Sequence, residues 1–253
     1  MMAKRLNLKE TEILIPKNGT LRHLVTYAPK DFADEIRQAL NDAGAGNIGK
    51  YDNCSFNIEG TGVFRATESA NPYSGEKGVT HFEKEIRISV IFPKHNESNI
   101  LKALRKAHPY EEIAYEIFEI TNPNQTVGMG MIGELESEMS EEEFIKYLKE
   151  NMQTQVVRHT KFLNKKIKKV AVLGGSGSFA ISNAKRKNAD VYVTADLKYH
   201  EFFQAEGQIL LTDVGHYESE QFTKKLLTTY LSEKFRNFAV LKSEINTNPV
   251  HYS

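Results

Sequence analysis

The feature that most constrains this chain is a pattern that occurs twice between residues 21 and 122. The segment LRHLVTY (21–27) reads as a strand. Pro29, Lys30 and Asp31 then open a helical pattern in which Phe32, Ile36, Ala39 and Leu40 share one face. Gly44 and Gly46 stop that helix, and a strand is expected over 54–58, ending in Gly60 and Gly62. The second unit repeats the order. Over 85–92, Ile86, Ile88, Val90 and Phe92 fall on one face and Arg87 and Ser89 on the other, the period of a half-buried strand. Ile100, Leu101 and Leu104 mark the following helix, His108-Pro109 ends it, and 113–120 alternates again. Strand, helix, strand, strand, helix, strand is the ferredoxin-like arrangement, so 21–122 is expected to form a compact domain. The loop 60–78 between its halves is rich in Gly, Asn, Ser and Thr.

The turn-rich segment TNPNQTV (121–127) reads as a linker. Beyond it, strands and helices alternate. Ser140 followed by Glu143 is a capping box ahead of Phe144, Ile145 and Leu148. KVAVL (169–173) is a buried-strand run, GGSGS (174–178) a turn, 179–187 a helix, 190–194 a strand and 199–206 a short helix. A strand over 208–214, a long helix over 218–235 and a final strand over 238–241 complete the reading. This pattern predicts an α/β layer over 123–253 with a parallel or mixed sheet covered on both faces. Functional side chains are then expected just past the strand ends. The start of the chain differs: 3–8 (AKRLNL) reads as the last turns of a helix, with no cap before it.

Composition narrows the function classes. The 253 residues are 40% hydrophobic and 26% charged, which is globular rather than disordered. Lys plus Arg equals Asp plus Glu at 33 each, so no net field favours nucleic acid or anionic lipid. The single cysteine, Cys54, rules out an intrachain disulfide and fits a reducing compartment. No stretch approaches the ~20 apolar residues of a membrane span, and the cytoplasm is the expected location.

Three segments past strand ends carry candidate chemistry. In DVGHYESE (213–220), His216 and Glu220 are four apart and share a helical face. An imidazole and a carboxylate there suit zinc, manganese, iron or cobalt, with Asp213 a further ligand or a support for the imidazole. A helix cap with a surface ion pair explains the same residues. Gly174, Gly175, Ser176, Gly177 and Ser178 could present amides to an anionic substrate group, although tight-turn chemistry alone explains the glycines, and the run matches neither a P-loop nor G-x-G-x-x-G. In TADLKYHE (194–201), Asp196 and His200 are candidate proton carriers, with a solvated helix start as the plain alternative. Cys54 reads as a packed thiol and His108 as a helix-end residue.

Five ordered segments, GAGNIGKYDNCSFNIEGTGVF, AHPYEEIAYEI, KKVAVLGGSGSFAI, DVYVTADLKYHE and TDVGHYESE, resemble the GTP cyclohydrolase type 2 homologues, also called Nif-three-like proteins. The resemblance runs over essentially the whole chain. It implies that 21–122 is a PII/CutA-like insert of ferredoxin fold and that 123–253 is the second part of the family's α/β core. It also implies a pair of divalent metal ions in a cleft, a nucleotide-like or phosphorylated small-molecule substrate, and ring-shaped homo-oligomers. Residue by residue, GHYxxE makes His216 and Glu220 metal ligands. The aromatic side chains Phe64, Tyr73 and Phe82 offer surface for association. The family pattern begins with a His-His-Pro segment and a later Asp that supply further ligands; neither occurs here, so 1–20 is expected to be the end of a truncated N-terminal core segment.

Overall fold

The computed structural model describes residues 1–252. In chain order it contains helix α1 (Met2–Arg5), strands β1 (Lys9–Lys17) and β2 (Leu21–Pro29), and helix α2 (Ala33–Asp42). Strands β3 (Phe56–Arg65) and β4 (Thr80–Pro93), helix α3 (Glu97–Ala107) and strands β5 (Tyr115–Glu119) and β6 (Asn124–Ser140) follow. After helix α4 (Glu141–Met152) come strands β7 (Arg158–His159) and β8 (Lys166–Ser176), helix α5 (Ile181–Arg186), strands β9 (Val191–Ala195) and β10 (Leu210–Asp213), and helices α6 (His216–Glu220) and α7 (Thr223–Lys234). This is a mixed α/β fold with two sheets. It divides into two compact units, one made of Met1–Pro16 with Thr126–Ser253 and the other of Lys17–Gln125.

The unit formed by 17–125 has a four-stranded antiparallel sheet in the order β3-β4-β2-β5. Its first and last strands pair, Arg22 with Glu119 through Thr26 with Tyr115. The core follows from alternation: Leu24 and Ala28 on β2 and Ile88, Val90 and Phe92 on β4 face Ile36 and Leu40 of α2 and Ile100 and Leu104 of α3. Each of these larger side chains is almost fully enclosed, worth about 1.5–3 kcal/mol of transfer free energy.

In the other unit, six strands run in the order β1-β6-β8-β9-β10-β7. The central β8, β9 and β10 are parallel, and β6 and β7 join antiparallel. Period-two alternation sends β8 side chains to two cores. Val170 and Val172 pack with Phe144 and Leu148 of α4, whereas Ala171 and Leu173 pack with Leu14, Ile181 and Tyr192. Burial on both faces is why these strands read as continuous apolar runs. Ser140 caps α4 by accepting from the Glu143 amide at 3.2 Å, while the Glu143 carboxylate accepts from the Ser140 amide at 2.7 Å.

Several elements differ from the sequence reading. The strand expected over 54–58 runs instead from Phe56 to Arg65, because Gly60 and Gly62 continue the ladder to β4 rather than ending it. The segment 121–127 is not all linker, since β6 begins at Asn124. At the start of the chain the helix ends at Arg5, with Asn7 at φ 48, and Lys9–Lys17 is a strand that the pattern did not show. The helix expected over 218–235 is two, α6 and α7, separated at 221–222. No strand forms over 238–241: Phe238 and Leu241 are 77% and 91% exposed, and a short apolar run without a neighbouring strand has no ladder to join. No helix among the described residues is long and apolar enough to cross a membrane.

Candidate functional site

β9 and β10 are parallel neighbours, in register from Val191 with Leu210 to Thr194 with Asp213. Both therefore leave the sheet at the same edge. Asp196 follows β9 and His216 follows β10, which brings together two side chains twenty residues apart. His216 Nδ1 lies 2.6 Å from Asp196 Oδ2, and its Nε2 lies 3.4 Å from Glu220 Oε2. The imidazole is thus held between two carboxylates.

Asp213 holds these two strand exits in place. It is 4% exposed. One of its oxygens accepts from the amide of Leu197 at 2.9 Å and from the Arg158 guanidinium at 3.1 Å, and the other accepts from the amide of Gly215 at 3.0 Å. The carboxylate thereby fixes the residue after Asp196 and the residue before His216. Its three hydrogen bonds make it the support of both strand exits, and the partner of the imidazole is Asp196. Gly215 has φ 90 and ψ 147, a conformation that essentially only glycine adopts, and a Cβ there would run into the buried Glu218 carboxylate.

The segment 174–178 is not the turn that was expected: Gly174 to Ser176 end strand β8, with a register shift between Val172 and Ser176, and a 3-10 turn over Ser178–Ala180 precedes α5. This strand end meets the same helix α6. The Ser219 hydroxyl accepts from the Gly175 amide at 2.8 Å and donates to the His216 carbonyl at 2.8 Å. The Gly175 carbonyl accepts from the Thr194 hydroxyl at 3.2 Å. Gly175 has φ +67, and a Cβ on it would lie 2.7 Å from Glu220 Oε1. The left-handed backbone therefore favours glycine here, and a side chain would also displace the Glu220 carboxylate from His216. The Gly177 carbonyl accepts from the buried Tyr192 hydroxyl at 2.9 Å, and Glu201 titrates below its ordinary range through hydrogen bonds from the Lys198 amide first and the Ser178 hydroxyl second. His200 is exposed against Tyr199 and is not among the residues lining the cleft around His216.

The cleft has a volume of about 660 Å³. Besides the His216 cluster it is lined by Arg158, Lys224 and Tyr252, none of which sequence reasoning singled out. Arg158 lies in a two-residue strand opposite Asp213, too short to give a periodic signal. The His216 imidazole titrates above its ordinary range. The hydrogen bond to Asp196 is the main cause, the charges of Asp196 and Glu220 add to it, and partial burial opposes. Such a group can carry a proton or, once deprotonated, offer Nε2 to a cation.

The donor types fit a borderline divalent ion, but their number does not complete a site. Among the described residues no group of three or more His, Cys, Asp or Glu side chains is arranged to hold a metal ion. His216 and Glu220 supply two donors from one helix, and a catalytic site ordinarily takes three from the protein.

Two sheets in a mixed α/β fold, with a histidine set between carboxylates where parallel strands end, define the class of protein. The chain belongs to the Duf34/NIF3 (NGG1p interacting factor 3) family, whose model matches residues 1–249. It is 40% identical over 255 residues to the Bacillus subtilis protein named GTP cyclohydrolase 1 type 2 homolog, covering 98% of this chain and 68% of that protein. A protein of the same name from Halalkalibacterium halodurans is 38% identical over 254 residues, covering 98% and 68%. The crystal structure of a Bacillus cereus protein related to NIF3 is similar with a TM-score of 0.81 and 36% identity, covering all of this chain and 68% of that one.

Proposed function

We propose that the cleft at His216 is half of a divalent-metal centre in a hydrolase acting on a nucleotide-like or phosphorylated small molecule. The observation that carries this reading is the imidazole held by Asp196 at Nδ1, with Nε2 turned to Glu220. A carboxylate on one ring nitrogen that leaves the other as donor is the usual support of a metal-binding histidine. His216 and Glu220 would hold a zinc, manganese or iron ion, and a second ion would share the cleft. Bound there, such an ion supplies Lewis acidity toward an anionic oxygen or a water. Asp196 keeps the proton on Nδ1 and is the nearer proton carrier, with the exposed His200 the alternative. The run 174–178 is not part of the cleft's lining and its Gly175 amide is given to Ser219, so its part in this reading is to hold α6, and with it His216 and Glu220, beside the anionic part of the substrate. The names of the relatives support a nucleotide-like substrate, and the ferredoxin-like unit is read as the family's PII/CutA-like insert in a homo-oligomer.

The count of two donors favours a second reading, a binding or regulatory protein in which the PII/CutA-like unit senses a partner and the metal is not catalytic. One experiment separates them: incubation of the chain with manganese and either GTP or a simple phosphoester. Turnover that disappears in His216→Ala supports the hydrolase. Calorimetric metal binding without turnover supports the regulatory reading, and neither binding nor turnover removes the metal from both.

A further inference from the structure

The ferredoxin-like unit has a cavity of its own, about 600 Å³, that the metal reading does not use. Its floor comes from the β3–β4 ladder. Ile58 pairs with Arg87 and Gly60 with Glu85, on the sheet face opposite the core residues Ile88 and Val90. Gly60 leaves a depression there: a Cβ built on it meets nothing within 4 Å. The walls are aromatic. Tyr110 lies 6.0 Å from Tyr73 and 6.2 Å from Phe64, ring centre to ring centre. The Tyr110 hydroxyl donates to Glu85 at 2.9 Å, so its ring is fixed in place.

The charged groups decide what could enter. Four carboxylates, Glu59, Glu85, Glu111 and Glu112, line the cavity with one guanidinium, Arg87. Glu59 is bound to Lys30 at 2.9 Å, and Glu111 accepts from the Asn71 amide at 2.8 Å. Arg87 is half-buried, yet among the described residues its guanidinium has no hydrogen bond or ion pair. A half-buried guanidinium without a partner suits a carboxylate, which it binds through two parallel hydrogen bonds. A purely anionic molecule would meet four carboxylates against one cation, whereas an added ammonium turns that excess into an attraction. The aromatic walls call for a flat apolar body.

We infer that this cavity binds an aromatic α-amino acid, with its carboxylate on Arg87, its ammonium facing the lining carboxylates and its ring among Tyr73, Tyr110 and Phe64. The inference is independent of the metal centre, because every residue it uses lies in 17–125.

The chain contains no tryptophan, so the fluorescence anisotropy of free L-tryptophan titrated with the 253-residue chain reads binding directly. Anisotropy should rise with added chain, giving a Kd of millimolar or below. Tryptamine, which lacks the carboxylate, and indole-3-propionate, which lacks the ammonium, should each bind about tenfold or more weakly, the order of one charge-assisted bond. Arg87→Gln should weaken L-tryptophan binding similarly, and Gly60→Leu, which fills the depression without backbone strain, should abolish it. Circular dichroism confirms folding of each variant, and if either variant fails to fold, the ligand series decides. No rise with the wild-type chain, indole-3-propionate binding as tightly as L-tryptophan, or unchanged binding in both folded variants would each overturn the inference.

Discussion

Asp196 Oδ2 stands 2.6 Å from His216 Nδ1, and Asp196 itself sits at φ 54, in the left-handed region. A residue held in that conformation after a buried strand aims its carboxylate across to the next strand exit instead of along its own chain. If the imidazole serves a metal, Asp196→Asn should weaken zinc or manganese binding about ten- to a hundredfold. Both side chains are about half exposed, so the melting temperature should barely move. Calorimetric titration of the two proteins checks this; equal affinities would separate Asp196 from the metal.

Glycine at 215 is required on two counts, the backbone at φ 90 and ψ 147 and the space taken by Glu218. Gly215→Ala should cost about 1–3 kcal/mol. Urea unfolding measures it, and a loss within error of zero would mean that the turn relaxes easily.

Glu141 begins α4, is 2% exposed, and accepts from the amides of Leu163 and Asn164 at 2.9 and 2.8 Å. It closes the 160–165 loop onto the helix start. Glu141→Gln turns an amide donor toward those N–H groups and should destabilise the chain by about 1–3 kcal/mol. The expected sign is a lower urea midpoint with an unchanged slope.

His108 supplies a pH dependence in the ferredoxin-like unit. Its Nε2 donates to the Tyr27 carbonyl at 2.9 Å and its Nδ1 accepts from the Tyr110 amide at 3.1 Å, a pairing only the neutral ring can make. Burial holds its titration below the ordinary value of 6.5. The unfolded chain therefore binds the proton first as pH falls. This contribution to stability is complete above about pH 6.5 and declines as pH drops toward the folded value. Denaturation between about pH 7 and pH 5 should show stability falling more steeply in the wild type than in His108→Gln. Parallel curves would remove His108 as the source.

The doubled pattern of 21–122 was legible because its cores are one-sided: Ile86, Ile88 and Val90 alternate with Arg87 and Ser89. The capping box at Ser140 was legible because it is local. What escaped depends on neighbours distant in sequence. β1 is a strand through its place beside β6, and 238–241 is not one for want of any such place. His216 and Glu220 could be paired by helical spacing, but Asp196 joins them only through the register of β9 with β10. Asp213 looked like a ligand because a strand-end carboxylate often is one. Its commitment to Leu197 and Gly215 is visible only in space.

The pairing of Arg22 with Glu119 has a consequence for how the chain finds its shape. β1 and β6 are neighbours in the six-stranded sheet, yet the whole of 17–125 lies between the two parts of their unit. Closing a loop of that length from a disordered chain costs on the order of 4 kcal/mol in entropy. Once β2 and β5 have zipped together, both ends of the intervening segment emerge side by side, and most of that search is already over. The ferredoxin-like unit then acts as a clasp, and loosening it should slow the assembly of a sheet to which it contributes almost no strands.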